Sequence, residues 1–241
     1  MNKVIHFCWF GRGDKPKLIK KCMKTWSRIC PNFEIVEWNE DNFDINICPY
    51  VKQAYEAKKY AFVSDYARFY VLNKYGGVYL DTDVELIKDI TPLLNGNFTG
   101  FEKDDSVATG LIMACEKDDE LCQAMLAEYD NDKFLNDDGT MNLRTVCDRV
   151  TEWFVERGLK LYGSTQNVAG YTVYAPEYFN PTDMQTGRVN ITANTYSIHR
   201  YAASWCSKSS KFRGKVYRMI ARVFGKDFAD RVRGKVKNNG E

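Results

Sequence analysis

Asp81-Thr82-Asp83 closes the run Gly76-Gly77-Val78-Tyr79-Leu80. Two carboxylates one residue apart, at the end of a short apolar run, are the strongest chemical feature of this sequence. On a straight strand, residues i and i+2 point to one side. Two acids sharing a side repel unless a cation lies beside them. Oxygen donors suit Mg2+ or Mn2+, which commonly also hold substrate phosphates. Open α/β sheets bind ligands at the carboxyl ends of their strands. The pair therefore points to a site for a divalent cation and a diphosphate. The competing reading is a solvated turn with two idle acids, because Asp-x-Asp also arises by chance.

Upstream lies Ser64-Asp65-Tyr66-Ala67-Arg68. Asp65 and Arg68 are three apart and share one face of a helix. Arg68 there could neutralise a phosphate or hold a carboxylate, and Asp65 could accept from sugar hydroxyls. The plainer alternative is a surface ion pair of little energetic weight. The chain has two histidines, His6 and His199. His6 falls inside an apolar run and reads as core. His199 follows a late apolar run and reads equally as a metal ligand or as a satisfied buried imidazole.

The elements that must position these groups alternate. Val4 to Phe10 reads as a buried strand running into Gly11-Arg12-Gly13. Lys17 to Ile29 has helical spacing and is broken by Pro31-Asn32. Phe33 to Trp38 reads as a strand. Lys52 to Tyr75 reads as one helix, stopped by Gly76-Gly77. Val78 to Leu80 is a buried strand, and Val84 to Ile87 continues extended. Phe98 to Phe101 and Ala108 to Ala114 are expected strands, with helices over Asp118 to Tyr129 and Leu143 to Arg157. Tyr171 to Tyr174 and Tyr196 to His199 complete the strands. The order implies an α/β fold, with one domain over residues 1–206.

The composition fits a globular chain: 241 residues, 44% hydrophobic and 27% charged, with a formal charge of +2. A near-neutral average gives no reason to expect nucleic-acid binding. The average hides a division. From Cys206 to Glu241 there are eleven Lys and Arg against three Asp and Glu, leaving 23 basic and 29 acidic residues before it. Within the tail, 207–241, Phe212, Val216, Met219, Ile220, Val223 and Phe224 share a helical face flanked by Lys and Arg. This basic amphipathic helix suits either an anionic membrane surface or packing on the acidic body. Eight cysteines form no Cys-x-x-Cys pair, so no structural zinc is expected. The first residues lack the pattern of a secretory signal, and no apolar run approaches the ~20 residues of a membrane span. The expectation is a cytoplasmic protein with reduced thiols, with the tail available to the inner face of a membrane.

The runs from Ala61 to Arg68 and from Leu72 to Asp83 closely resemble the glycosyltransferases with a DXD sugar-binding region. That family includes initiating mannosyltransferases of the yeast type, capsule and lipopolysaccharide transferases, and more remotely the clostridial glucosylating toxins. Ile5-His6-Phe7-Cys8-Trp9-Phe10-Gly11 is similar to its opening strand, and Trp38 to Asn42 to the segment after its second. Ile198-His199-Arg200-Tyr201-Ala202-Ala203-Ser204-Trp205 is similar to its His…Ser-Trp close. The resemblance spans about residues 3 to 205 and implies a Rossmann-like GT-A fold.

It further implies retaining transfer from a nucleoside diphosphate sugar, with UDP favoured, to a glycan or lipid-linked glycan in surface polysaccharide synthesis. Asp83 would bind Mn2+ or Mg2+. Asp81 would contact ribose or sugar and reach the metal. Asp65 and Arg68 would hold donor hydroxyls. Trp9 would stack on the base and Tyr79 would line the donor pocket. His199 or Ser204 would complete the metal shell, and Trp205 would meet the β-phosphate or leaving group. Trp9 as plain core and Trp205 as an anchor for the tail remain rival readings. Residues 104–143 depart from the family: Thr109-Gly110 matches loosely, and Asp137-Asp138-Gly139-Thr140 does not match. Two other classes stay open. One is a phosphohydrolase using Asp-x-Asp, although such enzymes place the pair on the first strand. The other is a non-catalytic sugar- or membrane-binding module.

Overall fold

The computed structural model describes residues 1–202 together with 216, 217, 219, 221, 222, 225 and 230. Chain order begins with strand β1 (Val4–Cys8), helix α1 (Lys17–Ile29), β2 (Glu34–Trp38), α2 (Pro49–Glu56) and α3 (Tyr60–Tyr75). Then come β3 (Gly77–Tyr79), β4 (Val84–Leu86), β5 (Asn97–Lys103), β6 (Ser106–Val107) and β7 (Met113–Cys115). Helices α4 (Glu120–Asp130) and α5 (Val146–Glu156), strands β8 (Gln166–Val168) and β9 (Tyr171–Tyr174), α6 (Pro176–Phe179) and β10 (Ser197–His199) complete it.

The main sheet runs β2-β1-β3-β7-β5-β9-β8, with β6 paired to β5. The β1–β2, β1–β3 and β5–β9 pairs are parallel, whereas β7 lies antiparallel between β3 and β5. Alternate residues of β1 and β3 feed opposite faces. Ile5, Phe7, Val78 and Leu80 enter one apolar cluster with Trp26 of α1, while Tyr79 enters the other with Val63, Ala67 and Val71 of α3. This is the mixed α/β architecture expected from the alternation of elements. Among the described residues no helix is long and apolar enough to cross a membrane.

Three expectations need correction. Lys52 to Tyr75 is not one helix: α2 ends at Glu56, and Lys58 takes φ +56° before α3 begins at Tyr60. Across the left-handed residue the Tyr55 and Tyr60 rings meet at 5.5 Å, tilted by 57°. Ala108 to Ala114 is mostly turn, with only Met113–Cys115 in the sheet. The DXD acids do not lie on a strand either, because β3 ends at Tyr79. A tight turn, Val84 N–H to Asp81 carbonyl at 3.0 Å, brings the two acids together instead of the pleat.

Helix α1 holds that turn. Its buried face offers Cys22, whose thiol lies 3.6 Å from the Asp83 carbonyl, and Thr25, whose hydroxyl accepts from the Leu86 N–H at 2.9 Å. Trp26, fully buried, donates its indole N–H to the Val84 carbonyl at 2.8 Å. Apolar spacing at 19, 22 and 26 forms the helix, and the polar atoms on that face fix β4 behind the acid pair. Trp26→Phe leaves a buried carbonyl unpaired. It is expected to cost about 1–3 kcal/mol, read as a lower midpoint in urea unfolding.

Most of the tail lies outside the described residues. Where it is described, Ala221 is buried and Arg222 donates to the carbonyls of Thr186 and Gly187. At that point the helix packs on the body.

Candidate active site

The parallel pair β1–β3 carries its carboxyl ends to one edge of the sheet. Leu80 extends the ladder through its N–H to the His6 carbonyl at 3.1 Å. Asp81 follows and is anchored by its own N–H to the Gly110 carbonyl at 2.9 Å. The small sheet β4–β10 then sets His199 opposite Val84, beside Asp83. Asp81, Asp83 and His199 each offer a ligand atom, and these atoms lie within 4.8 Å of one another.

Arg68 underlies this group. It is 3% exposed and reaches Asp65 at 2.7 Å, Asp81 at 3.3 Å and the Thr109 hydroxyl at 3.1 Å. Its guanidinium lies 4.9 Å from the Tyr79 ring centroid, and the Tyr79 hydroxyl donates to Asp81 at 3.1 Å. Burial opposes the charge on Arg68, but Asp81 and Asp65 outweigh it and hold the group protonated. Burial pushes Asp65 up to about 6 in spite of Arg68. Cys8 is pushed up to about 12 by burial, so it supplies no thiolate nucleophile at neutral pH.

Asp83 accepts from the Ala202 N–H at 2.7 Å. Its Oδ1 lies 2.9 Å from His199 Nε2. The imidazole N–H does not line up on that oxygen, and neither ring nitrogen of this enclosed side chain has a hydrogen-bond partner. Burial raises the Asp83 pKa, but His199 and the Ala202 N–H together bring it below the usual range. Burial lowers the His199 pKa, but Asp83 and neighbouring acids lift it above the usual value.

These residues fit a divalent cation. Asp65, Asp81 and Asp83 are three acidic groups gathered about a single guanidinium, Arg68, with His199 beside Asp83. The two carboxylates of Asp81 and Asp83 offer the oxygen donors that suit Mn2+ or Mg2+, and the imidazole beside them, without hydrogen bonds, offers a nitrogen.

The expected residues thus divide. Asp65, Arg68, Tyr79, Asp81, Asp83 and His199 form one connected group. Arg68 is engaged with carboxylates rather than standing free for a phosphate. Trp9 lies just beyond the carboxyl end of β1 and is partly buried. Its indole N–H donates to the Gly13 carbonyl at 2.6 Å and Lys15 stands 5.5 Å from its ring. No contact joins it to the acid group among the described residues. Ser204 and Trp205 lie outside the described residues. His6 is core as expected: Trp38 donates to its Nδ1 at 3.1 Å, and its Nε2 faces the Gly76 carbonyl at 3.0 Å. Glu40, from the segment after β2, accepts from the Gly11 N–H at 2.6 Å and the Tyr55 hydroxyl at 2.9 Å, tying the loop after β1 to α2.

Thr109 and Gly110 belong to the site, and sequence reading gave them no role there. A Cβ on Gly110 would lie 2.1 Å from Asp81 Oδ2. Gly110→Ala should therefore displace the Asp81 carboxylate. We expect about 10- to 100-fold weaker Mn2+ binding, measured by electron paramagnetic resonance of free Mn2+, with the circular dichroism spectrum of the parent chain.

Residues 16–99 match the family model "Glycosyltransferase sugar-binding region containing DXD motif". Inositol phosphoceramide mannosyltransferase 3 of Schizosaccharomyces pombe is 30% identical over 97 residues, which are 39% of this chain and 27% of that protein. The matched stretch is thus little more than a quarter of the relative's length. A glycosyltransferase involved in the glycosylation of the major capsid of PBCV-1 superposes with a TM-score of 0.52 at 12% identity, covering 86% of this chain and 96% of its own. That likeness is one of fold, and it makes the architecture GT-A-like. The PaToxG glycosyltransferase gives a TM-score of 0.44 at 19% identity, over 52% of this chain and 59% of its own.

Proposed function

We propose that this chain, which carries the sugar-binding region of the DXD glycosyltransferases, moves a sugar from a nucleoside diphosphate donor to an acceptor hydroxyl with the help of a divalent cation. The observation that carries the reading is the convergence of Asp81, Asp83 and His199 above the buried Arg68–Asp65 pair. Asp83 and His199 would hold Mn2+ or Mg2+ directly, and Asp81 would join from the side fixed by Tyr79 and Arg68. When bound, the ion supplies Lewis-acid neutralisation of the leaving diphosphate.

In the transfer, the bond from the sugar's anomeric carbon to the diphosphate oxygen breaks and a bond to the acceptor oxygen forms. The acceptor proton leaves to the departing phosphate or to solvent. Asp65, as a carboxylate, accepts from donor hydroxyls and fixes the sugar. Arg68 is a positioning group that holds Asp65 and Asp81 in place through its guanidinium. Attack from the leaving-group face would give retention of configuration without a nucleophile from the protein. Trp9, at the same edge of the sheet, would stack on the base, with uracil favoured. The yeast relative's name, a mannosyltransferase, keeps a GDP-linked mannose donor beside UDP-sugars. The acceptor class we favour is a glycan or lipid-linked glycan of surface polysaccharide. Residues 1–206 would be the transferase domain, and the basic tail would set it on an anionic membrane.

Three measurements test this. Asp83→Asn is expected to lower transfer by about 100-fold or more while the chain keeps its unfolding midpoint; a folded variant with normal activity overturns the metal reading. A thermal-shift screen of UDP-, GDP- and dTDP-sugars, each with and without Mn2+, identifies the donor, and stabilisation that needs both partners is expected. The third is a pH profile. Asp65 ionises near 6, so kcat/KM should fall as the pH drops through that value, and Asp65→Asn should be slow with that limb gone. For folding the sign is opposite. The raised pKa gives stability that is full below the unfolded value of about 4 and is lost as pH rises through about 6.

A further inference from the structure

We propose that Tyr201 is a positioning residue for the cation site, held in that role by Glu102 and Asn180. The inference rests on the reading of Asp83 and His199 as cation ligands and extends it to what fixes them. Tyr201 takes φ +45°, a left-handed conformation unusual for an aromatic residue. Strain of this kind persists only where surrounding contacts hold it. Here the contacts are specific. The Tyr201 hydroxyl donates to Glu102 Oε1 at 3.1 Å and accepts from the Asn180 amide at 2.6 Å. The same Asn180 amide donates to the Glu102 carbonyl at 2.8 Å and is buried. Strand β5 and the end of α6 therefore grip the phenol from two sides.

The grip has two consequences at the cation site. The Tyr201 ring stands edge-on to the His199 imidazole, with centroids 4.2 Å apart and planes at 75°. Neither ring nitrogen has an aligned hydrogen-bond partner; beside the approach of Asp83 Oδ1 at 2.9 Å, ring packing supplies the orienting contact that a hydrogen bond usually gives a metal-binding histidine. The left-handed conformation also redirects the backbone at Tyr201. The Ala202 N–H then meets Asp83 Oδ2 at 2.7 Å, while the Arg200 N–H meets the Asp83 carbonyl at 3.0 Å. One residue thus fixes the azimuth of His199 and selects which Asp83 oxygen is left for an ion. Glu102 and Asn180 are 99 and 21 residues away in sequence, and neither touches Asp81 or Asp83 among the described hydrogen bonds and ion pairs.

The test uses the full chain with Mn2+ alone as the probe. Tyr201→Phe keeps the ring and removes the hydroxyl. It should raise the dissociation constant for Mn2+, read by electron paramagnetic resonance, by about 10-fold. By hydrogen-exchange mass spectrometry, the peptide containing Ala202 should exchange faster with no metal present. Glu102→Ala should match both effects, the double variant should add nothing further, and Glu102→Gln, which keeps an acceptor oxygen for the phenol, should restore wild-type behaviour. Wild-type exchange around Ala202 in Tyr201→Phe overturns the proposal, as does unchanged Mn2+ affinity in a wild type that binds it. If Tyr201→Phe fails to fold, the contrast between Glu102→Ala and Glu102→Gln decides. A wild-type chain that binds no Mn2+ removes the cation reading of the site; faster Ala202 exchange in Tyr201→Phe then still upholds the clamp.

Discussion

Three carboxylates gather beyond the carboxyl end of β3, two of them on one buried guanidinium, and the rest of the site is arranged around that crowding. Asp65 and Asp81 lie on Arg68 at 2.7 and 3.3 Å. Asp83 stands beside them with only a backbone N–H and an imidazole for company. Like charges this close are tolerated when a cation joins them. The fold takes pains to keep them close. Helix α1 holds the turn from behind, Gly110 leaves room for a carboxylate where any Cβ would collide, and the β4–β10 ladder delivers His199 from 115 residues downstream of Val84. An arrangement that concentrates negative charge without a ligand would be an expense to stability with no return.

The division of labour between the two cationic groups follows from burial. Arg68 is sealed beneath the acids, between Tyr79 and Thr109. Its charge organises carboxylates and does not reach out to solvent. His199 is enclosed beside Asp83, with neither ring nitrogen in a hydrogen bond. The chemistry facing a ligand is therefore acidic and imidazole in character, which favours a metal-bridged diphosphate over a phosphate gripped by arginine.

Much of this was legible because the informative residues are neighbours in sequence. Asp65 and Arg68 are one helical turn apart, so their pairing needs only a helix. Asp81 and Asp83 are two apart, so any tight local geometry brings them together, although the geometry is a turn and not a strand. The alternation of apolar runs gave the α/β class for the same reason. What escaped was held by long-range contact. Thr109 meets Arg68 across 41 residues, and Ala202 meets Asp83 across 119. The break at Lys58 sits in Ala57-Lys58-Lys59, where no Gly or Pro signals it. Across it the Tyr55 and Tyr60 rings pack at 5.5 Å, tilted by 57°. The left-handed Tyr201 is of the same kind, because an aromatic residue is not where that conformation is expected.

The central claim is a cation held between Asp83 and His199 that faces a nucleotide's pyrophosphate. Anomalous diffraction from crystals grown with Mn2+ and a nucleoside diphosphate tests it most directly. The account predicts a manganese peak within coordination distance of Asp83 and His199, with both phosphates beside it. Ordered Asp81, Asp83 and His199 side chains with no manganese between them, or manganese bound only elsewhere, would contradict it.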